Sequence, residues 1–263
     1  MLTRLTQKQL QQKIDFIEDY LKAENAASGS SVDANANVST KNIATLAAEI
    51  NKDINIQIND KLLYNKIEQL FGKEDADTYL KQIEDHDIYT HDRVSLSPYC
   101  VSFSMYPFLL DGLTKLGGES KAPQHLESFC GSFTNLVFAI SAQFAGAVAA
   151  VEFLMYFDYF ARKEYGDDYL SVARHRVEDQ LQSVFYSINQ PSCARGFQSV
   201  FFNTTVFDKY YFESMFGEFV FPDFTSPNWE TVSKLQEFFL TWITKEREKA
   251  LLTFPIITAA GLS

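Results

Sequence analysis

Apolar positions near the start of the chain repeat at helical spacing. Leu5, Ile14, Phe16, Ile17, Tyr20 and Leu21 form a rough stripe among Gln and Lys, which predicts an amphipathic helix over residues 1–24. Asn25-Ala26-Ala27-Ser28-Gly29-Ser30-Ser31 follows, a small-residue linker of flexible composition. Ile43, Leu46, Ala47 and Ile50 predict a second helix over 40–70, ended by Gly72. Ala76, Tyr79, Leu80 and Ile83 predict a third over 74–85.

The pattern changes after Arg93, where the charge-rich texture ends. Segment 94–104 is short, β-branched and aromatic and reads as a strand or loop-strand. Residues 105–117 fit a helix that stops at Gly117-Gly118, and 125–163 fit one or two long, mostly buried helices. Residues 168–189 form another amphipathic helix. Segment 197–207 is a strand, a loop follows at Phe221-Pro222-Asp223, and a final helix over 228–250 leads to a last strand over 251–259. Long helices alternating with short strands indicate an α/β architecture rather than a helical bundle. About three clear strands make an unfinished sheet, and an open edge needs a cover. The expectation is that partners complete the fold or that the chain is a piece of a longer protein.

Composition narrows the function classes. The 263 residues are 46% hydrophobic and 15% aromatic, enough for a sizeable core. A net charge of -11 disfavours a dedicated nucleic-acid binder, whose affinity comes from neutralising phosphates. It leaves room for a local pocket that binds single nucleotides. Three Cys and a polar N-terminus predict reduced thiols in the cytoplasm. The charge-free run from Ser128 to Val151 is long enough for a bilayer, but Ser128, Ser132, Thr134, Asn135, Ser141 and Gln143 interrupt it. It reads as a helix buried in the core, and no membrane association is expected.

Several chemical signatures are missing, including phosphate-binding Gly loops, H-E-x-x-H, G-x-S-x-G and C-x-x-C. His86, His91, His125 and His175 are scattered, so no metal site is expected. Three clusters remain. The first is Asp85-His86-Asp87-Ile88-Tyr89-Thr90-His91-Asp92-Arg93 leading to Pro98-Tyr99-Cys100. A Cys on a strand beside charged groups is either a poised thiol or a small buried hydrophobe, and the residues leave both open. The second is Asn189-Gln190-Pro191-Ser192-Cys193-Ala194-Arg195-Gly196-Phe197-Gln198-Ser199 with Asn203. Arg195 and Gln198 suit carboxylate, phosphate or amide recognition, and equally a polar connection that satisfies its own backbone. The third, Asp33-Ala34-Asn35-Ala36-Asn37, suits a cap for the helix beginning near Thr40.

Taken in order, Asn35-Ala36-Asn37, Ile88-Tyr89-Thr90-His91-Asp92 with Pro98-Tyr99-Cys100, Asn189-Gln190-Pro191, and Arg195-Gly196-Phe197-Gln198-Ser199 resemble the class III (anaerobic) ribonucleoside-triphosphate reductases. Phe207-Asp208-Lys209-Tyr210-Tyr211-Phe212 and Leu252-Thr253-Phe254-Pro255 extend the resemblance, which runs from about residue 33 to the end. It implies residues 33–263 as a helix-rich, incomplete N-terminal part of a ten-stranded α/β barrel of the glycyl-radical type, preceded by residues 1–32 as the N-terminal helix and flexible linker read from the pattern. Such enzymes convert ribonucleotides to deoxyribonucleotides by radical chemistry. By its place after the His-Asp motif, Cys100 is similar to the family's second, hydrogen-donating Cys. His91, Asp92, Asn35, Asn37, Arg195, Gln198 and Asn203 become candidates for the substrate side.

The resemblance further implies that cofactors and partners lie elsewhere. The thiyl Cys and glycyl-radical Gly would sit on a downstream reductase portion, and an iron–sulfur activase using S-adenosylmethionine would make the radical. Ribonucleoside triphosphates are the implied substrates, dNTP and ATP the effectors, and a homodimer the assembly, with segment 105–160 as its face. Cys130, in a predicted helix, and Cys193, in a loop, do not match the thiyl position. The expectation is therefore no activity from the chain alone. The competing reading is a degenerate dNTP-binding and dimerisation module without catalysis.

Overall fold

The computed structural model describes residues 5–22, 43–90, 93, 97–113, 119–190 and 199–262. They fall into two compact units that divide between Pro98 and Tyr99, close to the change of texture in the sequence.

The first unit is helical. Helices α1 (Gln7–Lys22), α2 (Ile43–Phe71) and α3 (Lys73–Glu84) follow the predicted periodicity, with Gly72 between the last two. Lys13 of α1 reaches Asp53 of α2 at 3.0 Å. The Tyr64 hydroxyl donates to Asp77 across α2 and α3 at 2.7 Å. Arg93 forks onto the Asp60 carboxylate through two guanidinium nitrogens, and the Asn59 amide donates to the Arg93 carbonyl at 2.5 Å. Ala76 and Ile83 are buried, whereas Leu62, Leu70 and Phe71 are exposed, so charged and polar contacts carry much of this unit's cohesion.

The second unit is layered. Its order is β1 (Val101–Ser102), α4 (Tyr106–Asp111), α5 (Leu126–Ser141), β2 (Val148–Ala150), α6 (Phe153–Tyr165), α7 (Tyr169–Val172), α8 (Arg174–Ile188), β3 (Phe202–Phe207), α9 (Lys209–Phe216), α10 (Trp229–Lys249) and β4 (Ile256–Ala260). The four strands form one parallel sheet in the order β1-β2-β3-β4. The α/β expectation is met, with helices between successive parallel strands.

Strands β1, β3 and β4 are shorter than the segments expected, α9 was not anticipated, and three further differences have a visible cause. The run from Ser128 to Val151 is not one helix. It closes at Ser141, whose hydroxyl donates back to the Phe138 carbonyl at 2.9 Å, and it then contains β2. A buried parallel strand is apolar without alternation, so β2 merges with the helix in a hydropathy pattern. Helix α4 stops at Gly112, not at Gly117-Gly118. Gly112 has φ +74, and an added Cβ would lie 1.9 Å from the Ser120 carbonyl oxygen. The close approach serves an antiparallel bridge in which Leu113 and Ser120 exchange N–H···O bonds of 2.9 and 3.1 Å. The helix expected over 168–189 is two, α7 and α8, separated at Ala173.

Aromatic packing joins the layers. Phe202 of β3 meets Phe133 of α5 and Phe185 of α8, with ring centroids 5.6 and 6.4 Å apart. Phe153 of α6 lies 4.6 Å from Phe133, and Phe239 of α10 lies 5.3 Å from Phe185. All five rings are fully buried. Each such side chain stabilises the fold by about 2–3 kcal/mol. Polar side chains fix the chain between elements. Asp208 caps α9 by accepting the Tyr211 N–H at 2.7 Å and also accepts the Leu262 N–H at 3.0 Å, joining the ends of β3 and β4. The Asn189 amide donates to the carbonyls of Phe185 and Phe254 at 2.7 and 2.6 Å and accepts the Phe254 N–H at 3.0 Å. Two of the ordered motifs, around Asn189 and Phe254, are thus tied together by structure.

Candidate functional site

Strand register separates two faces of the sheet. Val101, Val148 and Phe202 form one row across three strands, and Ala150 and Thr204 lie in the next row on the same side. Val148, Ala150, Phe202 and Thr204 are fully buried beneath the helices. Ser102, Ala149, Asn203 and Ile256 form a row on the other side, where Ser102 and Ile256 are exposed and Ala149 and Asn203 half-buried. Parallel sheets are ordinarily covered on both faces. Among the described residues this row is the less buried one, although Thr205 and Phe207, further along β3 on the side of Asn203, are buried.

Cys100 belongs to the side of Ser102 and Asn203. It precedes β1 by one residue and Ser102 by two, so strand alternation puts it on the side of Ser102. It is exposed. The Sγ atom accepts the Ala147 N–H at 3.2 Å. Backbone bonds flank that contact: Gly146 donates to the Tyr99 carbonyl at 2.5 Å and Val101 to the Ala147 carbonyl at 3.0 Å. The sulfur therefore sits against the loop that leads into β2. Two strands away, the Asn203 amide donates to the Thr258 hydroxyl of β4 at 3.0 Å, and that hydroxyl can return a bond to Oδ1 at 3.2 Å. At about 4.8 Å per strand spacing and 3.3 Å per residue, Cys100 and Asn203 stand roughly 12 Å apart.

The other described thiol is different. Cys130 is buried in α5, and burial pushes its thiol well up, aided by Glu127. Its sulfur is a packed hydrophobe. At the carboxyl ends of β1 and β2, Glu152 accepts the Met105 N–H at 2.8 Å and the Ser104 hydroxyl at 3.1 Å, tying the two strand exits together. Burial raises the Glu152 carboxyl, against the lowering effect of those donors.

Of the residues singled out in the sequence, Cys100 and Asn203 are brought to one face. Asn35, Asn37, His91, Asp92, Arg195 and Gln198 lie outside the described residues, as does Cys193. Sequence reasoning missed the Gly146-Ala147 contact and Thr258. Gly146 inside an apolar run was the available signal, since an isolated Gly beside a strand marks close backbone approach. Among the described residues, no group of three or more His, Cys, Asp or Glu could hold a metal ion. None of the described helices is long and apolar enough to cross a membrane.

The described residues thus combine a parallel sheet packed under helices with a thiol, an amide and a hydroxyl along its less buried row. Residues 47–261 match the family model of the anaerobic ribonucleoside-triphosphate reductases, and the chain belongs to that family. The resemblance read from the ordered motifs is borne out at that level. A solved anaerobic ribonucleotide reductase is similar with 29% identity and a TM-score of 0.79, covering 96% of this chain and 40% of that one. The enzyme from Thermotoga maritima with MES in the active site gives 27% identity and 0.78, covering 96% and 40%. The same enzyme in complex with dATP and CTP gives 25% and 0.76, covering 98% and 45%. The chain thus spans less than half the length of these solved relatives. No curated protein matches it.

Proposed function

We propose that this chain supplies the early strands of the catalytic barrel of an anaerobic ribonucleoside-triphosphate reductase, with Cys100 giving a hydrogen atom to the substrate ribose. The carrying observation is the exposure of Cys100 on the less buried side of a parallel sheet in a chain of this family. Four parallel strands in sequential order suit one arc of a ten-stranded α/β barrel, and the less buried side suits its inner wall. In this reading residues 33–263 are barrel and 1–32 a helix and linker that precede it.

Cys100 breaks its S–H bond toward a substrate radical formed opposite it. Asn203 offers an amide on the same wall, and Thr258 orients it. Arg195 and Gln198 recognise phosphate or hydroxyl groups of the nucleotide, while His91, Asp92, Asn35 and Asn37 line the substrate side. These six assignments rest on the ordered motifs. A glycyl radical, made by an iron–sulfur activase using S-adenosylmethionine, supplies the radical chemistry from the part of the enzyme that carries the thiyl Cys. Ribonucleoside triphosphates are the substrates and dNTPs the effectors. The assembly is a cytoplasmic homodimer. Turnover requires the strands and thiyl Cys that close the barrel.

The test is anaerobic reconstitution with a polypeptide carrying the remaining barrel and radical Gly, together with an activase. Deoxynucleotide formation is expected, and its loss in Cys100→Ser. Full turnover by Cys100→Ser would overturn the assignment.

A further inference from the structure

Gly146 lies where the loop before β2 passes the end of the Pro98-Tyr99-Cys100 segment. A Cβ built there would stand 2.6 Å from the Cys100 sulfur, 2.8 Å from the Tyr99 carbonyl oxygen and 3.2 Å from the Tyr99 ring. Carbon and sulfur in van der Waals contact stand well beyond such separations, so any other residue would displace the thiol or the loop. The hydrogen lets the sulfur settle against the backbone, within 3.2 Å of the Ala147 nitrogen. Sulfur is a weak acceptor, so this bond orients more than it stabilises.

We propose that Gly146 is a positioning residue for Cys100. Its missing side chain seats the sulfur on the Ala147 N–H, and that bond occupies a sulfur lone pair and fixes the side-chain rotamer. The S–H hydrogen is then left to turn away from the loop, on the same face as Ser102, Ala149 and Asn203. Hydrogen transfer needs the donor held in one direction before the substrate radical forms, because misplacement by about 1 Å can cost 10²-fold in rate. The inference rests on the reading of Cys100 as hydrogen donor, but its physical content, a seated sulfur, is measurable without turnover.

Two measurements on the full chain decide it. Peptide-resolved alkylation by iodoacetamide reads Cys100 directly, and buried Cys130 reports whether the fold persists. Gly146→Ala is expected to raise the Cys100 rate severalfold, as the sulfur is pushed off the loop, with Cys130 still protected. An unchanged Cys100 rate in a folded variant overturns the proposal. If Gly146→Ala unfolds, the amide proton of Ala147 decides. Its temperature coefficient should be that of a bonded amide in the wild type and in Cys100→Ser, and of a free amide in Cys100→Ala. The same coefficient in Cys100→Ala as in the wild type overturns the proposal. A seated sulfur with no reductase activity after reconstitution would refute the proposed function alone.

Discussion

Asp158 offers a sharp physical test of the second unit. Its carboxyl is 1% exposed on α6, deep beneath the helices. The Tyr169 hydroxyl donates to Oδ1 at 2.8 Å, and the Thr231 hydroxyl lies 2.9 Å from Oδ2. Thr231 is also 3.1 Å from the Asn228 carbonyl, and a hydroxyl has one hydrogen to give. If Asp158 is protonated on Oδ2, it donates to Thr231, which donates to Asn228, and every group is satisfied. The ionised form leaves one acceptor short. Arg162 stands 3.8 Å away and bonds Asp167 more closely, at 2.9 Å, so it compensates the buried charge only in part. Burial accordingly pushes Asp158 up to about 7 from 3.8, outweighing the two hydroxyls and Arg162.

The sign follows from linkage. Between 3.8 and about 7 the folded protein holds a proton that the unfolded chain releases, so stability from this group declines as pH rises through that window and levels off above it. Three units at about 1.4 kcal/mol each give about 4 kcal/mol in all, of which about 3 fall between roughly pH 5 and 8. Urea unfolding of the wild type and Asp158→Asn across that range isolates the effect. Asn keeps one acceptor and gives a hydrogen to Thr231, so it reproduces the protonated network without titrating. The variant should gain on the wild type by about 3 kcal/mol from pH 5 to 8. Parallel profiles for the two proteins would refute the reasoning.

Three further substitutions test separate contacts. Asn189→Ala removes one hydrogen bond to Phe185 and the two that hold Phe254 beside the end of α8, and should cost about 2–4 kcal/mol in urea unfolding. Gly112→Ala combines positive φ with a Cβ 1.9 Å from a carbonyl oxygen and should lose more than about 2 kcal/mol, read as a lower denaturation midpoint at an unchanged slope. Tyr156→Phe should be neutral or stabilising by up to about 1 kcal/mol, because the Tyr156 hydroxyl is buried with no hydrogen-bond partner among the described residues. A clear loss of thermal stability in Tyr156→Phe would reveal a partner for that hydroxyl.

How far the sequence carried depends on how locally each feature is encoded. Helix α10 spans Trp229–Lys249 against an expectation of 228–250, because Asn228 caps it and its apolar period is unbroken. Helix α2 spans Ile43–Phe71 against 40–70, stopped by Gly72. Strand β2 was not legible: three residues, Val148, Ala149 and Ala150, have no period to reveal inside an apolar run. The end of α4 was misplaced because two glycine positions could stop it, and the choice of Gly112 depends on Ser120 across the loop. The Cys100 alternatives were undecidable for the same reason. The contacts of the thiol come from Gly146 and Ala147, more than forty residues away along the chain, and its neighbours on the sheet from strand pairing.

Neighbouring residues of β3 differ in what they contribute to the second unit. Along β3, Phe202 and Thr204 point into the helical layer and are fully buried, while Asn203 between them is half-buried on the other side. Alternation sends Phe202 and Asn203 to opposite sides at this end of the strand, while Thr205 and Phe207 further along are buried as well. A substitution at Phe202 should therefore act through stability, as a buried Phe→Ala change costs about 3–5 kcal/mol. A substitution at Asn203 removes only the partly exposed bond to Thr258 and should leave the unfolding midpoint nearly in place.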